Sequence, residues 1–298
     1  MTEATEGVVY IATGETHVNQ AVRSATQIKE LTEDYPITLI ADCMVDSPAI
    51  DQVMRIDSPK YANQDVVENL LRTPYEKTLC LDTDTYVVDS RGIDDIFKLL
   101  ERFDLAIADD PFHRMEQFYD STTPLPDIPV PDSFDWFNCG IFAFELNDRV
   151  REQFSKWEEI HHEHLEIRPD AFDQAAFRQM LYQTDLRYAL LPPEYNFLLK
   201  APQPVSDPVK IIHGNVENVE EIAEQLTEMI PETSNEGGMP EQWIFTPVSV
   251  GGEVRLLEHP HCMLRKRLTQ LELSIRNRGF RSTVEALIRW MRGGEFHG

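Results

Sequence analysis

The chain has 298 residues, with 27 Lys and Arg against 52 Asp and Glu, so its formal net charge is −25 at pH 7. Such an acidic chain is excluded as a general nucleic-acid binder, because those proteins use cations to neutralise phosphates. An apolar content of 42% is that of a folded protein with a sizeable core, which excludes intrinsic disorder.

The first part of the chain predicts a strand–helix–strand unit. Apolar runs predict strands over 8–12 and 37–41, and apolar residues at helical spacing predict a helix over 18–31 between them. The first strand ends at a single glycine, Gly14, without a Gly-x-Gly-x-x-Gly pattern, so the Rossmann dinucleotide fingerprint is absent. Asp42 follows the second strand, where it could bind a ribose or base or serve only as an acid in a turn.

A buried strand followed by two aspartates is the most informative stretch. The apolar run 78–81 lies between turn signals, which predicts a strand in the middle of a parallel sheet. Asp82 and Asp84 come directly after it and point to the same side of an extended segment. Two adjacent carboxylates repel each other unless a cation joins them, and a hard divalent ion does so while leaving positions for phosphate oxygens. The alternative is a solvated acidic turn.

Two basic residues precede these aspartates in a chain that has few cations. Arg72 and Lys77 are therefore candidates for holding a phosphate of a bound ligand. The alternative for each is a charge at a helix end or on the surface.

The middle of the chain predicts a further helix and two further strands around an irregular segment. Residues 94–103 predict the helix, 105–108 a strand and the apolar run within 136–146 another strand. The Pro-containing segment 111–134 predicts either a lid on the acceptor side or a tolerated insertion. Asn138 and Gly140 interrupt the last strand, and a glycine there indicates the close approach of a ligand or of another backbone.

The next elements contribute histidines and one more aspartate. A helix over 150–164 contains His161, His162 and His164, of which the two at positions i and i+3 could share a face and bind a metal, or the group could form a solvated helix end. Asp173 begins a short helix and is either a capping residue or a site residue. His213 ends the strand over 209–213, where it is either structural or a third ligand beside the two aspartates.

The chain is expected to have three parts: a catalytic domain over 1–230, an irregular linker over 231–258 and a basic amphipathic helical tail over 259–298. The tail has eight Lys and Arg against three Glu. Such a tail could bind an anionic membrane surface or a partner, or pack on the acidic body.

The expected environment is a cytoplasm with a high salt concentration. The four cysteines show neither metal spacing nor a disulfide framework, and the N-terminus has no signal-peptide pattern. Acids dispersed over a chain with an ordinary core indicate salt adaptation, so we expect a halophilic, archaeal source. Peripheral contact with the cytoplasmic membrane face is possible through the tail.

Four motifs occur in order between residues 8 and 213: Leu-Asp-Thr-Asp, Phe-Asn-Cys-Gly, Asp-Gln and Ile-Ile-His-Gly. In this set the chain resembles the GT-A glycosyltransferases, nearest to glycosyltransferase family 8. The resemblance implies an α/β protein with the GT-A fold, in which helices flank a mostly parallel central sheet, here with a helical C-terminal tail. It also implies a nucleotide-diphospho-sugar donor, an unknown acceptor and a divalent metal, usually Mn²⁺ with Mg²⁺ as the alternative.

The same resemblance assigns roles to individual residues. It implies Asp82, Asp84 and His213 as metal ligands, with Asp82 also facing the donor. It places Asn138 and Asp173 towards the donor sugar or the acceptor, and Thr13 near the nucleotide. Asp173 would be the general base of an inverting enzyme, or a positioning or nucleophilic carboxylate of a retaining one.

The chain departs from family 8 after the histidine, because His213 is followed by Gly214 and the family's Lys-Pro-Trp run is absent. Two other functions are therefore kept open. A sugar-nucleotidyltransferase shares the sheet and the metal, but usually has a basic glycine-rich loop, and residues 12–16 contain no cation. A non-catalytic nucleotide-sugar-binding protein would have the same fold without the chemistry.

Overall fold

The computed structural model describes residues 5–112, 130–230, 243–250 and 253–258. Strands of the main sheet are β1 (Glu6–Ala12), β2 (Ile37–Ala41), β3 (Gln52–Arg55), β4 (Lys77–Leu81), β6 (Leu105–Asp109), β7 (Phe137–Glu145) and β8 (Tyr188–Leu191). The other strands are β5 (Thr85–Val87), β9 (Phe197–Leu198), β10 (Gln203–Val205), β11 (Ile211–His213), β12 (Trp243–Val250) and β13 (Glu253–Glu258). The helices are α1 (Glu15–Leu31), α2 (Asn63–Asn69), α3 (Arg91–Leu99), α4 (Asp148–Ile167), α5 (Asp173–Gln183) and α6 (Val219–Met229).

The main sheet has seven strands in the order β3-β2-β1-β4-β7-β6-β8. Neighbours are parallel except at β7, which runs antiparallel to both β4 and β6. The predicted architecture, a mostly parallel sheet flanked by helices, is confirmed. Because β4 lies beside β1 in the middle of this sheet, the residues that follow β4 lie at its carboxyl edge, where open α/β sheets bind ligands.

Apolar residues cover both faces of the main sheet. In β1, Val8 and Tyr10 pack towards α1 and α3, whereas Val9 and Ile11 pack towards α2, α4 and α5. A fully buried strand supplies apolar side chains to both faces, which explains its uninterrupted apolar sequence. Burying one large side chain, such as that of Trp157 in α4, contributes about 2–3 kcal/mol to the free energy of folding.

A second sheet of three strands, in the order β5-β11-β9, brings distant residues to the end of β4. Strand β5 follows β4 after a turn of three residues, and β11 pairs antiparallel with it. In this register His213 lies opposite Thr85, immediately beyond the Asp82–Asp84 turn. The pairing of β11 with β5 therefore determines that His213, far along the chain, lies beside the two aspartates.

The prediction of an irregular linker over 231–258 is wrong for its second half. Strands β12 and β13 form an antiparallel pair, and β12 also pairs with β10. Phe245, Val254 and Leu256 are buried in a third apolar cluster together with residues of α6 such as Ile222 and Leu226. In β13, Val254 and Leu256 alternate with charged residues, a pattern typical of a half-buried strand. Packing against α6 stabilises this strand.

Several predictions lie outside the described residues. These are the tail over 259–298, the first part of the linker over 231–242 and most of the segment predicted as a lid, 113–129. In the described part of the chain, no helix is both long enough and apolar enough to cross a bilayer.

Candidate metal centre and adjoining clefts

Asp82, Asp84 and His213 converge at the carboxyl edge of the main sheet. Their nearest ligand atoms all lie within 4.8 Å of one another. The Nε2 atom of His213 is 3.5 Å from Oδ2 of Asp82 and 3.3 Å from Oδ1 of Asp84. Thr85 tightens the intervening turn, because its hydroxyl donates to the Asp82 carbonyl at 2.8 Å. The structure thus brings together the three residues that the sequence predicts as metal ligands.

Gly140 in β7 leaves the space that the three side chains occupy. A Cβ atom added there would lie 2.3 Å from Cε1 of His213 and 2.7 Å from Oδ2 of Asp82, which no real side chain allows. The neighbouring Asn138 side chain bends back and accepts a hydrogen bond from the Gly140 amide at 3.1 Å. The glycine signal in the strand therefore marks a close approach by side chains of this chain itself.

Electrostatics within the group depend on two opposing effects. Burial disfavours a charged imidazole, but the hydrogen bonds and charges of Asp82 and Asp84 raise the pKa of His213 to about 9. Burial likewise opposes ionisation of Asp84, yet the hydrogen bond and charge of His213 lower the pKa of that carboxyl. Two acids and one proton-binding ring therefore share a compact site that is suited to positive charge.

The group is also suited to a divalent cation. Nδ1 of His213 is 2.9 Å from Oδ1 of the buried Asn196, and a proton on Nδ1 leaves the lone pair of Nε2 directed at the carboxylates. This hydrogen bond is the outer contact by which metal-binding histidines are usually oriented. One imidazole nitrogen with two carboxylates is a donor set that divalent metal ions accept.

On one side of this group lies a cleft of about 220 Å³, here called the Asn138 cleft. Its walls include Asp82, Asn138, Asp173, Gln174, Lys200 and His213. Asp173 is the first residue of α5, and the backbone amides of Asp173 and Gln174 hydrogen-bond its carboxylate, as the interpretation as a capping residue expects. Its carboxylate accepts a hydrogen bond from Asn63 at 3.2 Å. Burial and the charge of Asp82 raise the pKa of Asp173 to about 7.

Several residues that line the Asn138 cleft are absent from the predicted site, among them Gln174 and Lys200. Gln174 donates to Oδ2 of Asp110 at 3.1 Å, and the Asp-Gln motif was a signal that could have identified it. Lys200 follows β9 and is the only Lys or Arg among the lining residues that the structure describes. No local pattern indicated Lys200, because the pairing of β9 with β11 places it beside His213.

On the other side lies a cleft of about 350 Å³, here called the Tyr61 cleft. Asp82 and Asp84 line it, as do Thr13 and Tyr61. Thr13 is one of the lining residues, and its hydroxyl donates to Oδ2 of the buried Asp65 at 2.7 Å; its place near a nucleotide stays a prediction. Asp82 belongs to both clefts, and the candidate metal group therefore lies where they meet.

Asp42 is not among the residues that line either cleft. Its carboxylate accepts a hydrogen bond from the amide of Gly14 at 3.1 Å. Gly14 has a φ of 83°, a conformation that favours glycine, and Asp42 holds this turn after β1 in place. The structure therefore gives Asp42 the role of the turn acid, which was the alternative to a ribose or base contact.

The predictions for Arg72 and Lys77 need correction, because neither lines either cleft. Lys77 is the first residue of β4, five residues before Asp82, which places it about 16 Å away along the strand. There it forms an ion pair of 2.9 Å with Glu6. Arg72 donates to the Asn69 side chain and to the Arg55 carbonyl, as the interpretation of a helix-end charge expects.

Comparison with known proteins agrees with this architecture. No family model matches the chain, and no curated protein does. The apo form of the glycosyltransferase GlyE from Streptococcus pneumoniae TIGR4 has a TM-score of 0.51 at 15% identity, over 75% of this chain and 60% of GlyE.

Two further solved structures are similar at lower scores. The galactosyltransferase LgtC, in complex with donor and acceptor sugar analogues, has a TM-score of 0.49 at 15% identity, over 77% of this chain and 98% of LgtC. Mouse xyloside xylosyltransferase 1 has a TM-score of 0.44 at 12% identity, over 70% of this chain and 98% of that protein. The likeness to GlyE, whose TM-score exceeds 0.5, shows that the chain has the fold of the GT-A glycosyltransferases, as the resemblance in the sequence predicts.

Proposed function

We propose that this protein is a divalent-metal-dependent glycosyltransferase, which moves a sugar from a nucleotide-diphospho-sugar to an acceptor hydroxyl. One observation carries the proposal: the Asp82, Asp84 and His213 group lies at the junction of two clefts. A nucleotide-diphospho-sugar has the matching shape, with a charged diphosphate between a nucleoside and a sugar. The nucleoside would occupy the Tyr61 cleft, and the sugar would occupy the Asn138 cleft beside the acceptor.

The metal would be held by Asp82, Asp84 and His213, with Mn²⁺ as the proposed ion and Mg²⁺ as the alternative. When bound, the cation supplies positive charge that stabilises the departing nucleoside diphosphate. Without a cation, the two carboxylates would repel a diphosphate. Lys200 adds a second positive charge at the same junction. The lysine of the family 8 Lys-Pro-Trp run is absent from this chain.

The residues of the Asn138 cleft would act on the sugar and the acceptor. Asn138 and Gln174 offer amide groups to hydroxyls, and Gly140 leaves room for the metal-ligand candidates His213 and Asp82. Asp173 is buried with a pKa raised to about 7, which is near the value that suits proton transfer at neutral pH. We propose Asp173 as the general base if the anomeric configuration is inverted, and as a positioning or nucleophilic carboxylate if it is retained.

Three broader features are part of the proposal. The ordered motifs favour a relationship to family 8, and the dispersed acids favour a halophilic, archaeal protein that works in a high-salt cytoplasm. The basic segment 259–298 would contact an anionic membrane surface or a partner. Greater thermal stability in molar KCl than in dilute buffer would support the proposed salt adaptation, and equal stability would contradict it.

Donor hydrolysis in molar KCl tests the reaction. A panel of nucleotide sugars would be incubated with Mn²⁺, Mg²⁺ or EDTA, and released nucleoside diphosphate would be measured. We expect release from one donor, lost with EDTA and lowered at least 100-fold in Asp84→Asn, because that change removes a ligand charge. Asp185→Asn is the matched control, since the Asp185 side chain is 90% exposed and pairs only with Arg149 among the ion pairs described.

The products separate the proposed reaction from its alternatives. An Asp84→Asn variant with wild-type release would contradict the proposed role of the metal group. Formation of a nucleotide sugar from a sugar phosphate and a nucleoside triphosphate, with release of pyrophosphate, would instead identify a sugar-nucleotidyltransferase. Tight binding of metal and nucleotide sugar without turnover in any acceptor mixture would identify a non-catalytic binding protein.

A further inference from the structure

Tyr61 has an unusual combination of backbone conformation and exposure. Its φ is 56°, and it is the one non-glycine residue with a positive φ in the part of the chain that the structure describes. This conformation costs stability for a residue that has a Cβ atom. The side chain is 66% exposed, so burial of the ring offsets little of that cost. Strain that brings no gain in packing is typical of functional positions.

A buried carboxylate maintains this conformation. Asp65, which is 2% exposed, accepts hydrogen bonds from the Tyr61 amide at 2.7 Å, the Lys60 amide at 2.8 Å and the Thr13 hydroxyl at 2.7 Å. Three donors stabilise the charge of an acid that would otherwise be costly to bury. Asp65 thereby joins the loop before α2 to the loop after β1.

The ring of Tyr61 forms one wall of the Tyr61 cleft. A Cβ atom on Gly14 would lie 3.7 Å from Cδ1 of Tyr61, so the edge of the ring lies directly beside this glycine. Asp82 and Asp84 line the same cleft. The cleft therefore joins an exposed aromatic ring to two metal-ligand candidates.

We propose that Tyr61 is the platform on which the base of the nucleoside diphosphate stacks, and that Asp65 is the residue that positions it. This inference rests on the proposed function, since a diphosphate at the Asp82–Asp84 group leaves its nucleoside to extend along the Tyr61 cleft. An aromatic ring can stack on any base, because every base has a π-face. The polar side chains of His17, Gln20 and Asn215 in the same cleft offer partners for ribose hydroxyls.

Calorimetric titration of the Mn²⁺-loaded protein provides the test, with UDP, GDP, ADP and CDP each compared with inorganic pyrophosphate. Tyr61→Gly should weaken the best nucleoside diphosphate about 10-fold and leave pyrophosphate unchanged, because only the stacked base is lost. Its melting temperature should not fall, since glycine adopts a positive φ without strain. Tyr61→Phe should bind as the wild type does, and so should Tyr182→Ala, which removes an exposed tyrosine of α5 outside both clefts.

A double-mutant cycle tests the positioning role of Asp65. Asp65→Asn should weaken nucleoside diphosphate binding in the wild-type background but should add little to Tyr61→Gly, because the two residues act through one ring. Additive losses would overturn the role of Asp65.

Other outcomes would overturn the role of Tyr61. Unchanged nucleoside diphosphate affinity in Tyr61→Gly would contradict it, and so would equal losses for nucleoside diphosphate and pyrophosphate. If the wild type itself binds no nucleoside diphosphate with Mn²⁺, the proposed function fails before any variant is compared.

Discussion

Two regions of the molecule contain histidines that the sequence marks as possible metal ligands, and they differ in what surrounds the rings. On α4, Nε2 of His161 is 3.2 Å from the Ala171 carbonyl, and Nε2 of His164 is 3.3 Å from Oε1 of Gln179. His162 is exposed and pairs with Glu68 of α2 at 3.0 Å. The rings on α4 thus contact separate partners, whereas His213 lies beside two carboxylates at the end of a strand.

The same difference controls the charge of the rings. Burial lowers the pKa of both His161 and His164, and the opposing charges of Glu68 and Glu163 do not outweigh it. Burial opposes the charge of His213 as well, but the two aspartates outweigh it. Spacing along a helix places rings on a common face, but the packing of that face against α5 decides whether the rings can bind a cation. Asp82, Asp84 and His213 are the only such group among the residues that the structure describes.

The largest effect is expected from removing His213 itself. His213→Ala should lower the affinity for Mn²⁺ at least 100-fold, because it removes one of three ligands, whereas His162→Ala should leave the affinity unchanged. Electron paramagnetic resonance of free Mn²⁺ during a titration measures both. Comparable losses in the two variants would contradict the distinction between the two regions.

A smaller effect on Mn²⁺ affinity is expected from changing Asn196, which contacts the ring of His213. Asn196→Leu should lower Mn²⁺ affinity about 10- to 100-fold, since the ring of His213 loses the acceptor that orients it. Gln179→Leu, which removes the acceptor of His164, is the matched control and should not change Mn²⁺ binding. If the two variants bind Mn²⁺ equally well, the hydrogen bond from His213 to Asn196 has no orienting role.

The smallest effect concerns stability and pH. The folded-state pKa of His161 lies below the ordinary value of about 6.5, so the unfolded chain binds protons first as the pH falls. The free energy of unfolding should therefore decrease from pH 7 towards pH 5, by about 1.4 kcal/mol for each unit of pKa difference. His161→Gln can keep a donor to the Ala171 carbonyl and removes this titration, so it should show a shallower decrease.

Chemical denaturation at several pH values measures this slope. The exposed His17 provides the control, since His17→Gln should keep the wild-type slope. A wild-type slope in His161→Gln would show that the buried ring does not contribute to the acid sensitivity of the fold.

Features confined to one element were predicted well. The apolar spacing of α1 is confirmed at Val18, Ala21, Ala25 and Ile28, which are buried against the main sheet. Leu31, which the same pattern includes, is 43% exposed at the last position of the helix. Periodicity reports which face of an element is apolar, but not how far its neighbours extend.

Proximity along the chain misled the predictions for two cations. Lys77 lies five residues from Asp82, but a strand is rigid and extended, so the two residues occupy opposite ends of β4. Asn196 and Lys200 lie more than a hundred residues from Asp82 and still adjoin the metal group through His213. No local pattern identifies such residues, because strand pairing brings them together.

The sequence by itself determined the buried strand, the two aspartates at its end and the ordered motifs of a glycosyltransferase-like fold. These follow from local rules, since apolar runs seek the core and the side chains at positions i and i+2 of a strand share a side. The tertiary structure decided which histidine lies beside the aspartates, which side chains occupy the space next to Gly140 and which contacts hold Tyr61. Those outcomes depend on the pairing of β5 with β11 and on a buried carboxylate, which are contacts between segments that the order of residues does not encode locally.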